Sequence, residues 1–214
     1  MPYIIILFLF ISFNNCYASD FFAPNIDTSN NITLSYRQAR DYHFKSSKPK
    51  KYSISSYNDY STLLDKDNSL NLSLDYLHLA FSAGDDNFVA FMLIGTSNDS
   101  LMRPDGKGAA YISIWKQQGD KYRLLAANEV YAIYGASLFF DDESNMIVID
   151  SPMGQCEVLF LKTSLFIKDN NVYYKSIEKS TITPENTMEN ETLFSSDNKI
   201  EYLLNKKNGL EFLP

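Results

Sequence analysis

A chain of 214 residues carrying a net charge of −7 is long enough to bury a sizeable core, and its acidity argues against nucleic acid, whose phosphates demand a basic face. Two cysteines are too few for a disulfide framework, and the two histidines with the one cysteine beyond the N-terminal apolar run make three ligands, one short of a structural zinc site.

Residues 1–18 read as a cleavable secretory signal peptide. The apolar run 4–11, taken with Phe13, is about ten residues, too short to cross a bilayer core of ~30 Å, and Cys16 and Ala18 are small residues at a plausible cleavage point. The expected compartment is the periplasm or the exterior. With Cys16 removed, Cys156 is the single cysteine of the mature chain. It reads as a small buried side chain, with an intermolecular disulfide or a reactive thiol as alternatives.

Residues 19–68 are polar and read as an irregular, extended N-terminal arm that packs through Tyr36, Tyr42, Phe44, Tyr52 and Tyr57. The arm holds a basic cluster (Arg37, Arg40, Lys45, Lys48, Lys50, Lys51) around Pro49, read as a solvated segment or a contact for an anionic surface. Residues 69–214 are expected to form one β-rich globular domain. Residues 70–76 alternate strictly and 77–81 alternate on the opposite phase, which predicts a strand with a bulge at Tyr76/Leu77, or else a helix.

Further strands are predicted at 88–94, 109–115, 122–126, 129–134, 136–140, 146–150, 155–161, 164–167 and 172–177, joined by short polar turns. The first of these is the longest apolar run after the leader and suits a buried strand rather than a membrane span. Residues 180–197 are polar and predict a loop with at most one short helix. Residues 200–204 and 210–213 predict a last hairpin about Asn208-Gly209. No long helical pattern intervenes among the strands. The expected fold is therefore mainly β, an antiparallel meander forming a sandwich, barrel or partial propeller.

Chemistry-bearing motifs are sparse. No G-x-S-x-G elbow or Walker spacing occurs, the acidic clusters do not alternate as calcium loops do, and no cofactor or metal is expected. Asp85, Asp86, Asp141, Asp142 and Glu143 fall in predicted turns, where Asp commonly bonds its own backbone. They are the candidate binding residues, together with Trp115, which is expected to pair across a hairpin with Tyr122. His43 and His78 read as satisfied histidines, with a pairing to Cys156 as the catalytic alternative. Four Asn-x-Ser/Thr sequons occur, at Asn31, Asn71, Asn98 and Asn190, and matter only in a glycosylating host.

The segment Gly119-Asp120-Lys121-Tyr122-Arg123-Leu124-Leu125-Ala126-Ala127-Asn128, with Val158-Leu159-Phe160-Leu161 and Val172-Tyr173-Tyr174, resembles small uncharacterised periplasmic β-proteins of Gram-negative bacteria. Some exported proteins of this kind shield their host from antibacterial toxins. The resemblance implies a binding role and assigns no catalytic residue. The expectation is an exported, non-enzymatic binding protein, an immunity protein or inhibitor that neutralises a toxin or cell-wall hydrolase, with a protein as its partner. An exported hydrolase using turn-borne carboxylates and an envelope structural component are the alternatives.

Overall fold

The structure, a computed structural model, describes residues 31–49, 52–66, 74–95, 109–133, 135–153, 159–183, 187–196, 202–206 and 209–212. The leader, Lys50, Lys51, Asn71, Asn98 and Cys156 lie outside them.

Ten strands make two antiparallel five-stranded sheets. The first contains β1 (Thr33–Leu34), β2 (Leu74–Ala83), β3 (Asp86–Gly95), β4 (Ala109–Gln118) and β5 (Lys121–Val130), in the order β1-β5-β4-β3-β2. The second contains β6 (Ser137–Asp141), β7 (Met146–Met153), β8 (Leu159–Lys168), β9 (Asn171–Ile182) and β10 (Met188–Ser195), in the order β10-β9-β8-β7-β6. They form a sandwich in which β2 approaches β6 and β5 approaches β9, with Phe81 stacked on Phe140 at 4.7 Å. Neither sheet closes into a barrel.

The first sheet is buried on both faces, which explains why β3 and β4 read as continuous apolar runs. Phe88, Ala90, Met92 and Ile94 alternate with Val89, Phe91 and Leu93, and all seven are buried. Phe88 stacks on Phe81, which reaches the second sheet, while Phe91 lies under helix α1 (Tyr36–Ser47). A shorter helix, α2 (Tyr57–Lys66), packs beside α1 through Tyr57 and Tyr60.

The arm is therefore helical over these two stretches, not extended. Ser35 caps α1 in a reciprocal capping box with Gln38, and Lys48 ends it in left-handed backbone (φ 43) just before Pro49. Its buried face carries Ala39, His43, Phe44, Ser46 and Ser47. Ser46 and Ser47 donate back to the carbonyls of His43 and Phe44 and are satisfied locally, while His43 bonds across to the sheet through Nδ1.

Strand β2 pairs with β3 in unbroken register, with neither a bulge nor a helix at Tyr76/Leu77. The change of phase has another cause. Early in the strand Leu74 and Tyr76 turn toward the helices, and later Phe81 turns toward the second sheet, so the apolar face changes sides as the neighbours change.

Three real bulges lie elsewhere, at Leu125 where β5 pairs with β4, at Lys175 where β9 pairs with β8 and at Leu193 where β10 pairs with β9. The first brings Trp115 opposite Leu124, while Tyr122 stands opposite Gln117. Of the segments expected as separate strands, 122–126 and 129–130 belong to the single strand β5, which ends at Val130 so that 131–133 are not strand, and 159–161 and 164–167 belong to the single strand β8; 134 and 155–158 lie outside the described residues.

Within the expected loop over 180–197, residues 180–182 are the end of β9 and 188–195 the edge strand β10, while 184–186 and 197 lie outside the described residues. At the C-terminus Leu203 forms an isolated bridge with Tyr173, and Gly209–Phe212 is a 3-10 helix rather than a strand. A Cβ at Gly209 would lie 2.9 Å from the Tyr174 hydroxyl, 3.2 Å from Val130 Cα and 3.3 Å from the Glu129 carbonyl. Two of those neighbours are backbone and cannot swing aside. Gly209→Ala is thus expected to destabilise by about 1–3 kcal/mol in urea unfolding. A variant as stable as the parent would show that the 3-10 helix does not press on β5.

Candidate functional site

Two-residue connections join β2 to β3 (Gly84-Asp85), β4 to β5 (Gly119-Asp120) and β8 to β9 (Asp169-Asn170). Gly84 and Gly119 stand first in their turns at φ 61 and 64, and Asp169 and Asn170 take φ 51 and 58. Positive φ at these places gives the turn twist that matches a hairpin, and Gly, Asp and Asn are the residues that tolerate it. The β6–β7 turn, 142–145, closes with Asn145 at φ 57.

Strand direction brings all four turns to one end of the sandwich. Phe88 pairs with Lys116, which sets the first two turns side by side, and Ile147 pairs with Leu165, which does the same for the other two. Lys116 then ties the sheets together: its Nζ donates to Asp86 Oδ2 at 2.6 Å and to Asn170 Oδ1 at 3.2 Å.

Five of the six candidate binding residues, Asp85, Asp86, Asp141, Asp142 and Glu143, therefore lie at this end, joined by Asp120 and Asp169. Lys116, Lys121 and Lys168 are the cations there, so the end is acidic. Its carboxylates have different tasks. Asp86 is paired to Lys116. Asp141 accepts from the Ser144 hydroxyl at 2.6 Å and from the Glu143 backbone N–H at 3.1 Å, and the Ser144 bond above all holds its carboxyl below the ordinary range. Asp85, Asp142 and Glu143 point into solvent. Among the described residues no three His, Cys, Asp or Glu side chains are grouped to hold a metal ion.

Trp115 is not part of this surface. It is 0% exposed, meets Tyr42 of α1 edge to face at 5.7 Å, and donates its indole N–H to Ser113 Oγ at 3.0 Å. The basic cluster is divided as well: Arg37, Lys45 and Lys48 are exposed, whereas Arg40 turns inward with its guanidinium carbon 3.8 Å from the centroid of the Tyr57 ring. His78 is exposed on β2 and stacks on Tyr76. Of the sequons, Asn31 accepts from Arg123, and Asn190 lies exposed on β10, accepting from Ser180.

A second polar group lies beneath α1. Ser113 Oγ is 2.8 Å from His43 Nδ1, and Tyr111 donates to Ser46 at 2.9 Å. Serine and histidine at that distance have the contact of a nucleophile and its base. Here both are wholly buried, and burial lowers the imidazole to a pKa of about 3, so the pair is neutral core scaffolding at physiological pH. Arg40 and His43 did not stand out in the sequence as members of a common group. The signal available was the Ser35-x-x-Gln38 capping box followed by Tyr36, Arg40, His43, Phe44 and Ser47 at helical spacing.

No helix among the described residues is long and apolar enough to cross a membrane. No family model, curated protein or solved structure matches the chain.

Proposed function

We propose that this chain is an exported, non-enzymatic binding protein that meets a basic protein partner with the acidic end of its sandwich. The observation that supports this reading most is the gathering of four hairpin turns, rich in carboxylates, at one end of two sheets locked by Lys116. Turns on a rigid sandwich can present charge without reordering on contact, and exposed charge of one sign accelerates encounter with a partner of the other. The partner class that suits an exported acidic protein of this kind is an antibacterial toxin or a cell-wall hydrolase, which the chain would neutralise as an immunity protein or inhibitor in the periplasm.

The test uses charge reversal at Asp142 and Glu143, which stand in the turn beside the bonded Asp141. Asp142→Lys with Glu143→Lys is expected to slow association with a partner captured from envelope extract about tenfold at low salt, with the difference shrinking as salt is raised. The captured partner should also lose its own activity when the parent chain is added. Unchanged association rates would overturn the acidic-end reading, and turnover of an envelope substrate by the chain alone would replace binding by hydrolysis.

A further inference from the structure

Three hydrogen-bond donors beneath α1 are shielded from water and have no acceptor among the described residues: Arg40 Nε, His43 Nε2 and the Tyr76 hydroxyl. Ser113 Oγ accepts the Trp115 indole N–H. With the Ser113 hydroxyl proton turned to His43 Nδ1 at 2.8 Å, the imidazole proton is assigned to Nε2, where it is a donor.

These side chains are neighbours. Arg40 and His43 are three apart on one helix and share a face. The His43 and Tyr76 rings are 6.4 Å apart, and Tyr57, under the Arg40 guanidinium, is 5.7 Å from Tyr76. The guanidinium has no ion pair among the described residues. Buried donors without acceptors each carry a desolvation cost, and these three, one of them on the Arg40 cation, make a donor set that a negative acceptor would satisfy.

We propose that Arg40, His43 and Tyr76 form a binding site for a small oxyanion, a carboxylate or phosphate group, at the junction of α1, α2 and β2. Tyr36, one turn before Arg40 on the same helix face, is 38% exposed and marks the open side. Tyr57, Tyr60 and Tyr76 surround the group with rings, so a carboxylate on a flat apolar body fits better than a bare one. The site lies on the helix-covered face, away from the acidic hairpin end, and stands or falls independently of the protein-binding reading.

The test is calorimetric titration of the full chain with sodium benzoate, sodium acetate and inorganic phosphate. Saturable binding of at least one is expected, with benzoate tighter than acetate if the carboxylate form is the ligand and phosphate tightest if it is not. Arg40→Gln should weaken binding about tenfold or more, because it removes a charge-assisted donor. Tyr76→Phe keeps the ring and its packing, and should still weaken binding severalfold, which guards against mistaking a misfolded Arg40 variant for a lost site. Asp142→Lys should leave binding unchanged. No saturation by any of the three anions overturns the proposal. So does affinity equal in parent and both variants, which would mean an adventitious ion only, and so does a crystal structure at saturating anion in which water alone bridges Arg40 and Tyr76.

Discussion

Trp115→Ala is expected to destabilise the fold by about 3–5 kcal/mol, measured by urea unfolding followed through far-UV circular dichroism. The indole is wholly buried between Tyr42 of α1 and the sheet, so alanine leaves a large void that a β-strand at the middle of a sheet cannot collapse to fill. The change also removes the donor that occupies Ser113 Oγ, and with it the arrangement that orients His43. Trp115→Phe retains much of the volume and loses only the N–H and part of the ring, so a cost nearer 1–2 kcal/mol is expected. Against a total stability of about 5–15 kcal/mol, the alanine variant would be marginal at room temperature. Because Trp115 is the one tryptophan of the chain, parent fluorescence should be that of a shielded indole and should shift to longer wavelength on unfolding. An alanine variant within about 1 kcal/mol of the parent would show that α1 does not seal this face.

The central strands were legible because burial on both faces leaves an apolar run bounded by turn residues. β3 extends the predicted 88–94 by a residue or two at each end, and Gly119-Asp120 and Asp169-Asn170 mark hairpins by the residue types that tolerate positive φ. Where reading failed, a second influence had overridden hydrophobic alternation. The bulge at Leu125 made β5 look like two strands, and the one at Lys175 helps to hide the full length of β9. β10 was invisible because Met188, Glu189, Asn190 and Glu191 are all exposed. An edge strand paired on one side, with both faces partly open, has no reason to be apolar. Helix α1 escaped notice because its buried stripe includes His43, Ser46 and Ser47, which belong inside only when Ser113, Tyr111 and the helix carbonyls bond them.

The acidic residues were legible one turn at a time. Their assembly at one end depends on strand direction and on how the two sheets are matched, which Lys116 reveals by reaching both Asp86 and Asn170. The group under α1 was less legible still, since Arg40 and His43 meet Tyr76 only after β2 is placed beside β3 and the helix is laid across them.

The burial of His43 carries the other large expectation, a loss of stability in mild acid. Above pH about 6.5 the imidazole is neutral in both the folded and the unfolded chain, and its titration adds nothing. Below that pH the unfolded chain takes up a proton that the folded chain refuses until about pH 3, because the ring is surrounded by Phe44, Phe91, Tyr76 and Tyr111 with Ser113 as its hydrogen-bonded neighbour. The unfolded state therefore binds more protons, and stability falls by ~1.4 kcal/mol for each pH unit across that window, about 5 kcal/mol in all. Asp59 and Asp141, whose carboxyls hydrogen bonds to Ser55 and Ser144 hold low, add their loss only in the carboxylate range. The interval from pH 6.5 to 5 lies above the range in which these two carboxylates add their loss. His43→Phe keeps a ring in place and should give unfolding free energies nearly level over that interval, where the parent loses about 2 kcal/mol. A parent as flat as the variant would mean that the folded chain admits the proton, and that the helix does not shield this ring from water.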